Sequence, residues 1–132
     1  MANTPQPLRA GSPTQHQGRY AERDACALLI AAGHTVITQN YCCRAGEIDI
    51  ISLNFHGKLV FTEVRWRQSQ QFGGAVATIT AQKQRKLIKT AGFFLRRHPH
   101  YATFCTRFDV IAYSGSPPHW QRDWLRGAFS AF

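Results

Sequence analysis

Two stretches of this chain put carboxylates where a sheet protein ordinarily puts hydrocarbon: GEIDIISL at Gly46–Leu53 and KLVFTEVRWR at Lys58–Arg67. Side chains alternate along a strand, so Glu47 and Asp49 are expected on one face, with Ile48 and Ile50 on the other. In the second stretch Leu59, Phe61, Glu63, Arg65 and Arg67 share a face opposite Val60, Thr62, Val64 and Trp66. If the two strands pair as a hairpin with the acidic faces aligned, Asp49 and Glu63 stand within roughly 5–8 Å. Like charges about 4 Å apart repel by about 4 kcal/mol at an effective dielectric of about 20, so a cation belongs between them. A hard divalent ion meets that need, because Mg²⁺ takes one or two carboxylates, keeps several waters and accepts phosphate oxygens in its other positions. An ion-pair cluster, with Arg65 or Arg107 neutralising Asp49 and Glu63, meets it as well. Glu22 is a third acid of interest. It borders a helical apolar stripe beside Ala21 and Ala25, and is either directed toward the sheet or left exposed in a first turn with Arg19 and Arg23.

The rest of the composition narrows the partners. Among 132 residues, 16 Lys plus Arg against 7 Asp plus Glu give a formal charge of 16 − 7 = +9. No acid occurs between Glu63 and Asp109, while Arg65, Arg67, Lys83, Arg85, Lys86, Lys89, Arg96, Arg97 and Arg107 do. Such a field attracts polyphosphate, anionic lipid or acidic protein, nucleic acid being the commonest, and a plain solvated basic face is the competing reading. The apolar content supports a folded core and argues against disorder. The longest nearly uncharged apolar run, 25–33, is about half of the roughly 20 residues a helical span needs, so no membrane role is expected. Cys26, Cys42, Cys43 and Cys105 show no framework spacing and the first twenty residues hold no apolar signal core, which points to a reducing cytoplasm. The six histidines are scattered, the Cys42-Cys43 pair has no counterpart, and no phosphate-cradling or dinucleotide fingerprint is present.

Elements that position the acids follow from periodicity. Residues 1–16, with three prolines, read as a flexible leader. A helix is expected over 19–32, ended by Gly33, then strands at 34–40, Gly46–Leu53 and Lys58–Arg67, the last two joined by a turn at 54–57. After a Gly73-Gly74 loop, Thr80 is placed to cap a second helix with Leu87, Ile88, Ala91, Phe94 and Leu95 on its apolar side, ending before Pro99. A strand at 107–113 completes an αβββαβ domain over 17–113. The aromatic tail, 114–132, is expected to pack on that domain or on a partner.

Several pieces, in order, resemble one family: GRYAERDA in the first helix, QNY at the end of the first strand, GEIDII, VFTEVRWR, the Lys83 helix and RFDVI, with a looser echo in RGAF at 126–129. Over residues 18 to about 113 the chain is similar to the YraN-like proteins of the PD-(D/E)XK nuclease superfamily. The resemblance implies an α/β, restriction-endonuclease-like core with a mixed central sheet flanked by helices. It implies that Asp49 and Glu63 hold Mg or Mn, with the carbonyl of Val64 and Glu22 completing the shell and Glu47 secondary. Arg65 stands where a lysine is usual, and a guanidinium keeps its charge and cannot act as a base near neutrality. Arg67, Lys83, Arg85, Lys86 and Lys89 are the expected nucleic-acid contacts. Two functions follow: a metal-dependent endonuclease acting on DNA, including branched DNA, or a catalytically inactive nuclease-like module that binds nucleic acid or docks on protein. Resolvase-like cutting needs paired sites and hence a homodimer.

Overall fold

The structure, a computed structural model, describes residues 13–67 and 79–131. Helix α1 (Pro13–Ala31) is followed by strands β1 (Thr35–Cys43), β2 (Gly46–Leu53) and β3 (Lys58–Arg67). Helix α2 (Ala81–Arg97) and a short 3-10 turn (Pro99–Thr103) lead to β4 (Cys105–Ser114) and β5 (Gln121–Phe129). The five strands lie in the order β1-β2-β3-β4-β5; β3 and β4 are parallel and the other pairs antiparallel. A parallel pair needs a crossover, and α2 supplies it. The architecture is therefore the expected α/β one, a mixed sheet with helices on its two faces. Ala21, Ala25 and Leu29 of α1 pack with Ile50, Ile111 and Tyr113. Leu87, Ala91 and Phe94 of α2 pack with Ile48, Ile51, Leu59, Phe61 and Phe108.

Local chemistry sets the β2–β3 register. The Asn54 side-chain oxygen accepts from the backbone N–H of His56 (2.9 Å) and of Lys58 (2.8 Å), which closes the turn and pairs Leu53 with Leu59, Ser52 with Val60, Ile51 with Phe61 and Ile50 with Thr62.

Three expectations are corrected. Helix α1 begins at Pro13, not at residue 19; proline is tolerated in a first turn because its missing N–H has no intrahelical acceptor there. Residues 1–12 of the expected leader, and the Gly73-Gly74 loop, lie outside the described residues. Strand β1 runs to Cys43, continuing through Asn40, which takes a left-handed conformation (φ 52°) open to asparagine. Alternation in β2 also breaks: Ile48 and Ile50 do not share a face, for Ile48 joins the α2 cluster and Ile50 the α1 cluster. The break lies across from Asn40, since Gln39 pairs with Ile50 and Tyr41 with Ile48. Of the two outcomes expected for the tail, packing on the domain is the one found. It forms β5, with Trp124 opposite Ile111 and Phe129 stacked on Phe108 at 4.8 Å.

Asp109 holds β5 in place. Only 1% exposed, it accepts from Arg107 Nε (2.8 Å) and Nη2 (2.9 Å), Trp124 Nε1 (2.9 Å) and the Gly127 N–H (3.0 Å). Gly127 has φ +61°, so the approach needs glycine there. On the other side Asp24 of α1 accepts from Tyr113 Oη (2.6 Å) and Arg122 Nη1 (2.8 Å), fastening the helix that carries Glu22 to β4 and β5.

One buried group is unsatisfied. Thr62 Oγ1 has no partner among the described residues, although Thr62 is fully buried. A lone buried hydroxyl costs about 1–3 kcal/mol. Thr62→Val is therefore expected to raise the thermal midpoint by about 3–5 °C. A lower midpoint in calorimetry would show that the hydroxyl bonds an ordered water.

Candidate active site

The acids meet where β2 and β3 part. Their ladder ends at Ile50↔Thr62; one step further the register would set Asp49 across from Glu63. Instead of a backbone carbonyl, the Asp49 side chain accepts from the Val64 N–H, Oδ2 to N 2.7 Å. The sequence expectation that Asp49 and Glu63 become neighbours holds in this form, with Val64 beside them.

Burial pushes the Asp49 carboxyl up to about 8, and the adjacent Glu63 charge adds to the rise. The Val64 N–H opposes it, Glu22 contributes again in the upward direction, and a side-chain hydrogen bond with Glu63 acts the same way. No described cation offsets the charge on Asp49. Glu22 is likewise shifted upward, first by burial and then by Glu47 and Glu63, with Arg19 pulling it down. With α1 starting at Pro13, Glu22 lies in mid-helix and not in a first turn; it is only partly exposed and within electrostatic reach of Glu47 and Glu63. Glu47 is the outermost, exposed on β2, where its carboxylate accepts from Cys42 Sγ at 3.1 Å.

Two cations touch Glu63, which is 7% exposed. Arg65 Nη1 is 3.5 Å and Lys83 Nζ 3.7 Å from the same oxygen, Oε2. Both are long beside the roughly 2.7–2.9 Å of a tight charge-assisted bond. The alternative in which Arg107 neutralises the acids is overturned, because its guanidinium is spent on Asp109. Among the described residues Arg65 pairs with Glu63 and not with Asp49.

Hard oxygen donors in a negative pocket suit Mg²⁺ or Mn²⁺, and magnesium is commonly held by one or two carboxylates with water and phosphate filling the rest. Among the described residues no three His, Cys, Asp or Glu side chains form a ready-made cage, so the fit rests on the Asp49–Glu63 pair.

The expected nucleic-acid residues divide. Arg85, Lys86 and Lys89 are exposed on α2, and Arg67 is exposed at the end of β3. Lys83 is half-buried against Glu63. Residues not anticipated as contacts are Arg44 and Arg96, whose guanidinium carbons lie 5.4 and 4.9 Å from the Phe93 ring; Arg44 and Phe93 line an open groove of about 770 Å³ with Cys43 and Arg97. Helical spacing between Phe93 and Arg96 was a signal for half of that arrangement; Arg44 arrives from the β1–β2 turn and had none.

A family model described as Uncharacterised protein family UPF0102 matches residues 21–113, which include the four acids, Arg65 and Lys83 and stop before β5. A UPF0102 protein of Ralstonia nicotianae is 44% identical over 124 residues, covering 92% of this chain and 95% of the relative. One of Alcanivorax borkumensis is 43% identical over 119 residues, 87% of this chain and 92% of the relative. One of Pseudomonas fluorescens is 39% identical over 119 residues, 89% and 96% of the two chains. With the sheet and the matched span in agreement, the chain belongs to the UPF0102, or YraN-like, family of the PD-(D/E)XK nuclease superfamily.

Proposed function

We propose that this protein is a metal-dependent endonuclease that hydrolyses phosphodiester bonds in DNA. The observation that carries the reading is the Asp49–Glu63 pair, two acids that the β2–β3 register sets side by side at the fork, with no cation paired to Asp49 among the described residues. Asp49 and Glu63 would hold Mg²⁺ or Mn²⁺, with the Val64 carbonyl and Glu22 next in line and Glu47 at the margin. Such an ion supplies a water of lowered pKa and a clamp on the phosphate. The chain's own part is positional. Arg65 keeps its charge and pairs with phosphate oxygens, while Arg67, Arg85, Lys86 and Lys89, all exposed, bind the backbone without reading sequence. In the reaction the water oxygen bonds to phosphorus, one bridging P–O bond breaks, the water's proton passes to solvent, and the leaving oxygen takes one up.

The second reading, a nuclease-like binding module without hydrolysis, draws on the two cations already resting on Glu63. Its protein-docking form is weakened, because the tail aromatics Trp124 and Phe129 are engaged within the fold. No helix of the described residues is long and apolar enough to cross a membrane.

Cleavage of linear, nicked and branched DNA under Mg²⁺ or Mn²⁺ tests the proposal. The parent is expected to cut, and Glu63→Gln and Asp49→Asn to lose about a hundredfold or more. Activity surviving the loss of Asp49 rejects it. If six phosphate contacts form, DNA affinity is expected to fall about a thousandfold between about 50 and 200 mM salt, and a flat titration removes the phosphate contacts. Resolvase-like paired cutting of branched DNA would require a symmetric homodimer, which sedimentation of the complex detects.

A further inference from the structure

We propose that Lys83, brought from α2 across to β3, touches the reacting phosphate opposite Arg65, and that it acts in catalysis and not as one more backbone contact. The inference rests on the endonuclease reading and assigns a part of that site which Arg65 does not fill.

Position separates Lys83 from the other basic residues of its helix. It lies four residues before Leu87, at the head of the stripe Leu87, Thr90, Ala91 and Phe94 that α2 buries on the sheet. Side chains on one helical stripe share a direction, so Lys83 is turned toward the strands at the end where β2 and β3 part. Arg85, Lys86 and Lys89 face solvent. The backbone holds Lys83 there. Thr80 caps α2, its Oγ1 accepting from the Lys83 N–H at 3.1 Å. No acidic residue occupies the first turn of α2, so no carboxylate of the helix itself competes for the ammonium.

Contact supplies the second argument. Lys83 Nζ stands 3.7 Å from Glu63 Oε2, close enough to be held and too far to be tightly bound. An ammonium has three donors. One leans on Glu63, and the remaining two are available to a phosphodiester lying over Asp49 and Glu63. Lys83 then donates to a non-bridging phosphoryl oxygen, where negative charge grows as the water oxygen bonds to phosphorus and a bridging P–O bond breaks. A fixed donor aimed at developing charge commonly contributes about 10²–10³ in kcat. Arg65 approaches the same Oε2 along its own strand, two residues on, and is more suited to grip the phosphate from that side.

The test uses the full chain with duplex DNA and Mn²⁺. Lys83→Gln is expected to lower kcat about a hundredfold with only a few-fold change in KM, whereas Lys86→Gln raises KM with most of kcat retained. Lys83→Arg, which restores a charged donor, is expected to recover at least about a tenth of the parent kcat. A second readout needs no turnover: calorimetric titration of DNA-free protein with Mn²⁺ is expected to show binding by Lys83→Gln equal to or tighter than the parent's, since a competing cation has left Glu63. Lys83→Gln with kcat within about threefold of the parent, while Asp49→Asn is inactive, overturns the role of Lys83 and leaves the endonuclease reading standing. Loss of Mn²⁺ binding in Lys83→Gln also overturns it, by showing that Lys83 only shapes the pocket. A parent that cuts no substrate overturns both.

Discussion

Asp109→Ala is expected to lower the unfolding free energy by about 3–5 kcal/mol and to loosen β5 from the sheet. The carboxylate is buried at 1% exposure and is the common acceptor for Arg107, Trp124 and the Gly127 N–H. Its removal leaves the Arg107 guanidinium, itself only 19% exposed, without its partner, and an uncompensated charge in that position costs more than the pair contributes. The loss is a large part of the roughly 5–15 kcal/mol that holds a domain together. Urea denaturation with the three tryptophans as reporters measures it. A loss under about 1 kcal/mol would mean that the network is ornamental and that apolar contacts such as Phe108 with Phe129 hold the strand.

Asp49→Asn is expected to act in opposite directions on stability and on metal response. The unfolded chain releases the Asp49 proton near its ordinary 3.8, while the folded protein holds it to about 8. Between those values the folded state binds more protons, so stability is full below the lower value, falls as pH rises through the window, and changes no further above about 8. The asparagine carries no charge and still presents an oxygen to the Val64 N–H. In chelator at pH 8 the variant is therefore expected to be more stable than the parent, on the order of a few kcal/mol, with a flatter pH profile between about 4 and 8. Mn²⁺ competes with the proton, so it is expected to raise the parent's thermal midpoint more at pH 8 than at pH 6 and to leave Asp49→Asn unmoved. A variant less stable than the parent at pH 8, or one still stabilised by Mn²⁺, contradicts this account of the site.

Much of the molecule was legible from residue order because the signals were local. Alternation in Lys58–Arg67, the apolar stripe of α2, the Thr80 cap and the Asn54 turn each depend on residues within a few positions of one another. The αβββαβ core and the pairing of Asp49 with Glu63 follow from such signals plus the short connection between β2 and β3. Strand β5 was not legible. QRDWLRGAF reads as a charged, glycine-interrupted tail until Asp109 of β4 is there to collect its Trp124 and Gly127 donors.

The types of group at the site, two buried-leaning acids beneath an excess of positive charge, were a property of the chain's composition and spacing, because alternation along a strand needs no distant partner. Which cation meets which acid was decided only in three dimensions. Arg107 could be assigned to Asp109 and Lys83 to Glu63 only once β4 lay beside β3 and α2 crossed over the sheet. Coulomb attraction acts through space and falls with distance, so its pairings belong to the packed fold and not to neighbours along the backbone.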